Sequence, residues 1–207
     1  MLKLYDLTIE YKHEPLGLDE VQPRFSWKLE SDKQDTVQAA YRLALNCGGK
    51  TVWDSDRVES EQSILNEYLG PNLAPRTGYT WTVTVWDNHG ETAEAASRFE
   101  TGLLSGSAFE GKAQWITHTL DKTSPVSPVL YKDFVVTGTV KKARLYATVL
   151  GMYEAEINGA PVDDTYFHPG WTNYRKRLQY QTYAVTLREG VNRLALTLAN
   201  GWYKGKL

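Results

Sequence analysis

One cysteine, two methionines and four histidines are the only soft or imidazole ligands in 207 residues. Cys47 alone cannot close an internal disulfide. His13, His89, His118 and His168 lack the spacing of metal ligands, so neither a zinc site nor a nucleophilic cysteine is expected. No apolar run approaches the roughly 20 residues that span a bilayer, which argues against a membrane partner. Met1 to Glu10 has neither a basic nor an apolar leader region, so a soluble, cytoplasmic chain is expected. Charge of one sign is scarce too: 23 basic against 25 acidic residues leave a net charge of -2, and no run of either sign suits nucleic acid. Gly-x-Ser-x-Gly elbows and phosphate-cradling glycine loops are absent. No segment carries helical periodicity.

What remains is β-forming sequence. The composition, 42% hydrophobic and 12% aromatic, suffices for two cores of about 100 residues each. Strands are predicted over Arg24 to Leu29, Tyr41 to Asn46, Tyr79 to Trp86, Ser97 to Thr101, Val129 to Val136, Lys142 to Leu150, Tyr153 to Ile157, Leu178 to Thr186 and Arg193 to Ala199. In the third of these, Tyr79, Trp81, Val83 and Val85 share one face and Thr80, Thr82 and Thr84 the other, until Trp86 breaks the rule. Leu194, Leu196 and Leu198 repeat that pattern late in the chain. Asp87-Asn-His-Gly90 reads as a hairpin loop and Asn158-Gly159 as a tight turn of the primed type.

Gly102 to Gly111 concentrates glycine and serine without alternation. The expected organisation is therefore a sandwich over 1–103, a linker over 104–112 and a second sandwich over 113–207. Pro125 and Pro128 discourage regular pairing, so His118 to Pro128 is expected to be a surface loop.

Leu73, Pro75, Thr77 and Tyr79 resemble the Leu-x-Pro-x-Thr-x-Tyr pattern of fibronectin type III domains, whose tyrosine hydrogen-bonds back to upstream backbone. Trp27 supplies the early-strand core tryptophan. Across the chain, Pro15-Leu-Gly-Leu-Asp19, Pro23-Arg-Phe-Ser-Trp27, Val52-Trp-Asp-Ser55, Phe99-Glu-Thr-Gly102, Ala113-Gln-Trp-Ile116, Gly151-Met-Tyr-Glu154, Ile157-Asn-Gly159, Pro169-Gly-Trp-Thr172 and Asn200-Gly-Trp-Tyr203 follow in order. Together they resemble the N-terminal modules of bacterial α-L-rhamnosidases, the inverting, (α/α)6-barrel type. The resemblance implies an all-β chain, a fibronectin type III-like sandwich followed by a truncated jelly-roll-like sandwich. It also implies that the catalytic barrel and its carboxylic residues lie beyond Leu207. A non-catalytic scaffold fragment is thus expected, whose parent cleaves terminal α-L-rhamnosyl bonds, with self-association through an open sheet edge.

No catalytic residue is assigned: Asp163-Asp164 and Glu154 with Glu156 are the only paired carboxylates considered, and a solvated turn and strand face account for them. The alternative role is a rhamnose- or glycan-binding module. Asn158, Asp163, Asp164 and Asn200 offer oxygens for sugar hydroxyls or Ca²⁺. Trp171, Tyr174, Trp202 and Tyr203 offer rings for stacking. The plainer reading makes Asn158-Gly159 only a turn and Trp171 and Trp202 packing groups.

Overall fold

The computed structural model describes residues 1–105, 109, 113–120 and 126–204. Two compact units, Met1–Lys112 and Ala113–Leu207, divide the chain. Most of the expected linker, 106–108 and 110–112, lies outside the described residues, as does the stretch 121–125 with Pro125. Among the described residues there is no α-helix.

In the first unit the strands are β1 (Lys3–Ile9), β2 (Leu16–Leu18), β3 (Arg24–Glu30), β4 (Gln38–Cys47), β5 (Lys50–Asp54), β6 (Val58–Glu59), β7 (Asn66–Glu67), β8 (Gly78–Asp87) and β9 (Thr92–Thr101). They form two sheets, β1-β3-β7 and β2-β9-β8-β4-β5, with β6 also pairing β4. Between them lies a core that takes Phe25 and Trp27 from one sheet and Leu43, Leu45, Trp81, Val83, Val85 and Phe99 from the other. The period-two reading of β8 holds along its length: Tyr79, Trp81, Val83 and Val85 are buried. Trp86 stays on the outer face, where the Arg57 guanidinium sits 4.6 Å from its ring centre and covers it.

The turn-and-anchor motif also closes as expected. The Tyr79 hydroxyl accepts a hydrogen bond from the Ala74 amide at 2.8 Å, while Thr101 Oγ1 ties the Ala74 carbonyl and the Thr77 amide to the end of β9. Gly90 takes φ 80° in the β8–β9 hairpin. Strands β1, β2, β5, β6 and β7 escaped the sequence reading. In β1 the reason is local: Asp6 adopts φ 52°, and the pairing with β3 shifts register between Tyr5 and Thr8, which destroys the alternation.

The second unit holds β10 (Val129–Val136), β11 (Arg144–Ala147), β12 (Met152–Ile157), β13 (Ala160–Pro161), β14 (Gln181–Ala184) and β15 (Gly190–Ala199). Its larger sheet runs β10-β15-β12-β13, and β11 pairs with β14. Two expected strands prove shorter: Lys142 to Leu150 is strand only over Arg144–Ala147, and Leu178 to Thr186 only over Gln181–Ala184. Past the four paired positions the Val185 amide still donates to the Ala143 carbonyl at 3.3 Å at one end, while at the other the Thr148 hydroxyl donates to the Gln179 carbonyl. The core is thin. Among the described residues its buried cluster consists of Tyr153, Ala155 and Tyr183, against partly buried Leu145, Ala147, Val185, Leu196 and Leu198.

Close backbone approach fixes one glycine in this unit. Gly151 has φ 129°, and a Cβ there would stand 2.5 Å from the Ala199 carbonyl oxygen. Gly151→Ala should therefore lower the stability of this unit by at least about 1–3 kcal/mol from backbone strain alone. Thermal unfolding followed by circular dichroism checks it, and an unchanged midpoint would contradict the tight β12–β15 junction.

Candidate functional site

The tight turn between β12 and β13 forms as read, with Asn158 at φ 55° and Gly159 at φ 81°. Its asparagine is fully committed to structure. Asn158 Oδ1 accepts from the Arg193 amide and its Nδ2 donates to Asn192 Oδ1, both at 2.9 Å. Asn192 is completely buried, and its Nδ2 in turn donates to the carbonyls of Arg188 and Gly190. Its Oδ1 also accepts from the Arg188 amide at 3.0 Å. A polar residue in the apolar series Asn192, Leu194, Leu196, Leu198 is the signal that could have identified this knot, but the strand was read as starting one residue later.

Because both ends of the Asn158 amide are occupied, it does not fit a Ca²⁺ ligand. Asp163 is likewise engaged: its Oδ2 accepts from the Thr165 hydroxyl and lies 3.6 Å from His168 Nε2. Among the described residues no group of three or more His, Cys, Asp or Glu side chains could hold a metal ion. The donor set does not fit calcium. Asp164 and Asn200 are simply exposed.

The aromatic residues behave differently. Trp171 is 60% exposed and Trp202 40%. The ring of Trp202 meets Phe167 edge-on at 6.5 Å, and Tyr174 meets Tyr203 at 5.4 Å, so the segment from Phe167 to Tyr174 and the turn after β15 are drawn together. Phe167, 66% exposed, and its neighbour Tyr166, 72% exposed, were not anticipated. Tyr174 has its hydroxyl buried without a hydrogen-bond partner. The expected group thus separates: Tyr174 and Trp202 pair with Tyr203 and Phe167, Trp171 stands exposed in the same segment, and Asn158 belongs to the Asn192 knot.

Two attachments anchor the base of this region to the sheets. The Tyr153 amide donates to the His168 carbonyl at 3.0 Å, and the His168 ring lies between Thr165 and Tyr183, with Nε2 2.6 Å from Thr165 Oγ1 and Nδ1 2.9 Å from the Tyr183 hydroxyl. Tyr183 and Tyr153 share a further contact at 2.8 Å. Burial pushes the Tyr183 phenol up to about 12, and burial together with donation to Tyr183 pushes that of Tyr153 higher still, so both remain protonated. His168 was set aside because its spacing matches no metal site. Its partners Tyr153 and Tyr183 lie on two different strands, which no local pattern reveals.

On the opposite face of the larger sheet, Arg193 makes a two-pronged ion pair with Asp133 and lies over Tyr131 at 4.6 Å. That pairing holds the Asp133 carboxyl below the usual range. Glu154 and Glu156 stand exposed on β12.

Two all-β sandwich units, the first of the immunoglobulin class, are what this architecture defines. Residues 4–105 match the family described as "Rha78A-like, N-terminal immunoglobulin domain", and residues 138–207 match "Alpha-L-rhamnosidase N-terminal domain". An α-L-rhamnosidase of Formosa agariphila is 32% identical over 93% of this chain and 23% of its own length. Among solved structures, an α-L-rhamnosidase from Dictyoglumus thermophilum is 32% identical with a TM-score of 0.89, covering 97% of this chain and 25% of that one. A Streptomyces avermitilis α-L-rhamnosidase, solved with L-rhamnose, is 25% identical with a TM-score of 0.88, covering 100% and 37%. The chain belongs to the α-L-rhamnosidase family, in the N-terminal domains of which both its units find their match. It spans between 23% and 37% of the length of these relatives.

Proposed function

We propose that these two units are the non-catalytic, scaffolding N-terminal region of an enzyme that hydrolyses terminal α-L-rhamnosyl bonds. The match of both units to N-terminal domains of α-L-rhamnosidases carries this reading. The chemistry of the described residues agrees: glycoside hydrolysis needs two carboxyl groups facing each other across a bond. Here Asp163 is tied to Thr165, and Glu154 and Glu156 lie side by side on one exposed face. Incubated with an aryl α-L-rhamnoside, the chain should release no aryl alcohol above the uncatalysed rate. Turnover lost on replacing any of these acids would sink the reading.

A second reading, a rhamnose- or glycan-binding module, is favoured by one observation: Phe167, Trp171, Trp202 and Tyr203 expose large rings on one unit. Such rings suit the C–H faces of sugars. Under the scaffold reading, calorimetric titration with L-rhamnose into the millimolar range gives no saturable heat. Saturable binding abolished by Trp171→Ala would replace it with the binding module.

A further inference from the structure

With the His168 ring uncharged, the hydrogen bonds around it have only one self-consistent direction. Thr165 Oγ1 touches both Asp163 Oδ2 and His168 Nε2. A hydroxyl has one proton, and an ionised carboxylate can only accept, so that proton goes to Asp163. His168 Nε2 must therefore carry a hydrogen and donate to Thr165. In a neutral imidazole this leaves Nδ1 bare, so the Tyr183 hydroxyl donates to it at 2.9 Å. Tyr183 oxygen then accepts from the Tyr153 hydroxyl at 2.8 Å. The sequence Tyr153 to Tyr183 to His168 to Thr165 to Asp163 uses every donor once, and it runs from a phenol 3% exposed to a carboxylate 30% exposed.

Adding a proton to His168 reverses half of this chain. Nδ1 becomes a donor, Tyr183 must accept it and turn its own hydrogen toward Tyr153, and Tyr153 must turn to the remaining acceptor. That acceptor is the Ala147 carbonyl on β11, at a long 3.4 Å. The charged form gains attraction from Asp163, 3.6 Å from Nε2, keeps the 2.8 Å phenol–phenol contact with its direction reversed, and adds a stretched donation from Tyr153 to backbone. Asp163 from the loop, Tyr153 from β12 and Tyr183 from β14 are the titratable groups that face the ring.

We propose that His168 is a proton-operated switch: its charge sets the direction of hydrogen bonding through the buried Tyr183–Tyr153 pair and thereby how firmly the sheets hold the exposed aromatic segment Tyr166 to Trp171. The switch does not depend on catalysis or on a bound sugar. Its anchor is the dual attachment of this residue, main chain to β12 and ring to β14.

Long-range ¹H–¹⁵N NMR of the full chain tests it. With its ring uncharged, His168 should show a single tautomer with hydrogen on Nε2. On acidification the ring resonances of Tyr183 and Tyr153 and the indole resonance of Trp171 should move with the same midpoint as His168. Tyr183→Phe should keep the Nε2 tautomer, which Asp163 fixes through Thr165, and disconnect Tyr153 from the titration. Should that variant fail to fold, the exposed Thr165→Val should release the Nε2 tautomer, and Thr165→Ser should restore it. A mixed or Nδ1-protonated ring in the unaltered chain would overturn the proposal. Tyr153 and Trp171 resonances that ignore the charge on His168 would do the same.

Discussion

Trp81→Ala should cost the first unit about 3–5 kcal/mol, the range for emptying a well-packed aromatic site. Trp81 is 1% exposed and lies 4.8 Å from the ring of Phe25, so little room exists for neighbours to collapse into the void. A sharper result comes from trimming rather than emptying. Trp27 is equally buried, but its indole Nε1 donates to Gln38 Oε1 at 2.8 Å, whereas the indole nitrogen of Trp81 has no partner. Gln38 in turn clamps the carbonyls of Ser60 and Gln62. Trp27→Phe strands the Gln38 oxygen, and Trp81→Phe strands nothing. The first should therefore be the more damaging by about 1–3 kcal/mol, the usual penalty for a buried unpaired polar group. Urea unfolding of the two variants measures the difference, and equal losses would show that the Trp27–Gln38 bond contributes nothing net.

The second unit should be most sensitive at Asn192. Its side chain fills four hydrogen bonds at zero exposure, closing the Arg188–Gly190 turn and holding Asn158. Asn192→Ala leaves at least the Arg188 carbonyl and the Arg188 amide without their partner, so a loss of roughly 2–4 kcal/mol is expected from two or more groups costing about 1 kcal/mol upward each. Asn192→Asp, though isosteric, should be no better, since it turns an oxygen toward the carbonyls of Arg188 and Gly190 in place of a donor. Asn158→Ala should be milder, because Asn158 is exposed and water can replace it. Amide hydrogen exchange offers an independent reading: the Arg188 amide should lose protection in both Asn192 variants, and the Arg193 amide in Asn158→Ala. Retained protection at Arg188 would mean that the knot is not what holds the turn.

These two sites mark how far the sequence could be read. The alternation in Tyr79 to Val85 placed a strand, its buried face and its sheet neighbour hairpin, because a half-buried strand writes its environment with period two. Asn158-Gly159 placed a turn, because its two positive φ values suit that residue pair. The order of motifs from Pro15 to Tyr203 carried the family. Strands whose backbone is bent, such as β1, or which pair for only two residues, such as β6 and β7, left no such trace.

The candidate site was legible in part. Gly- and Pro-marked segments singled out aromatic residues in the sequence, and Trp171 and Trp202 on them are exposed. What the sequence hid at Asn158 is its partner: the side-chain amide bonds Asn192, 34 residues away.

What the sequence by itself determined is the all-β character, the face each regular strand buries and the relationship to α-L-rhamnosidases, since periodicity, turn chemistry and motif order are written locally. Only the tertiary structure decided which polar groups are spent. His168 became the junction of two buried phenols and an exposed carboxylate because β12, β14 and the loop after β13 converge on it. A hydrogen bond depends on distances of tenths of an ångström between residues far apart in the chain, and those distances exist only once the sheets have packed.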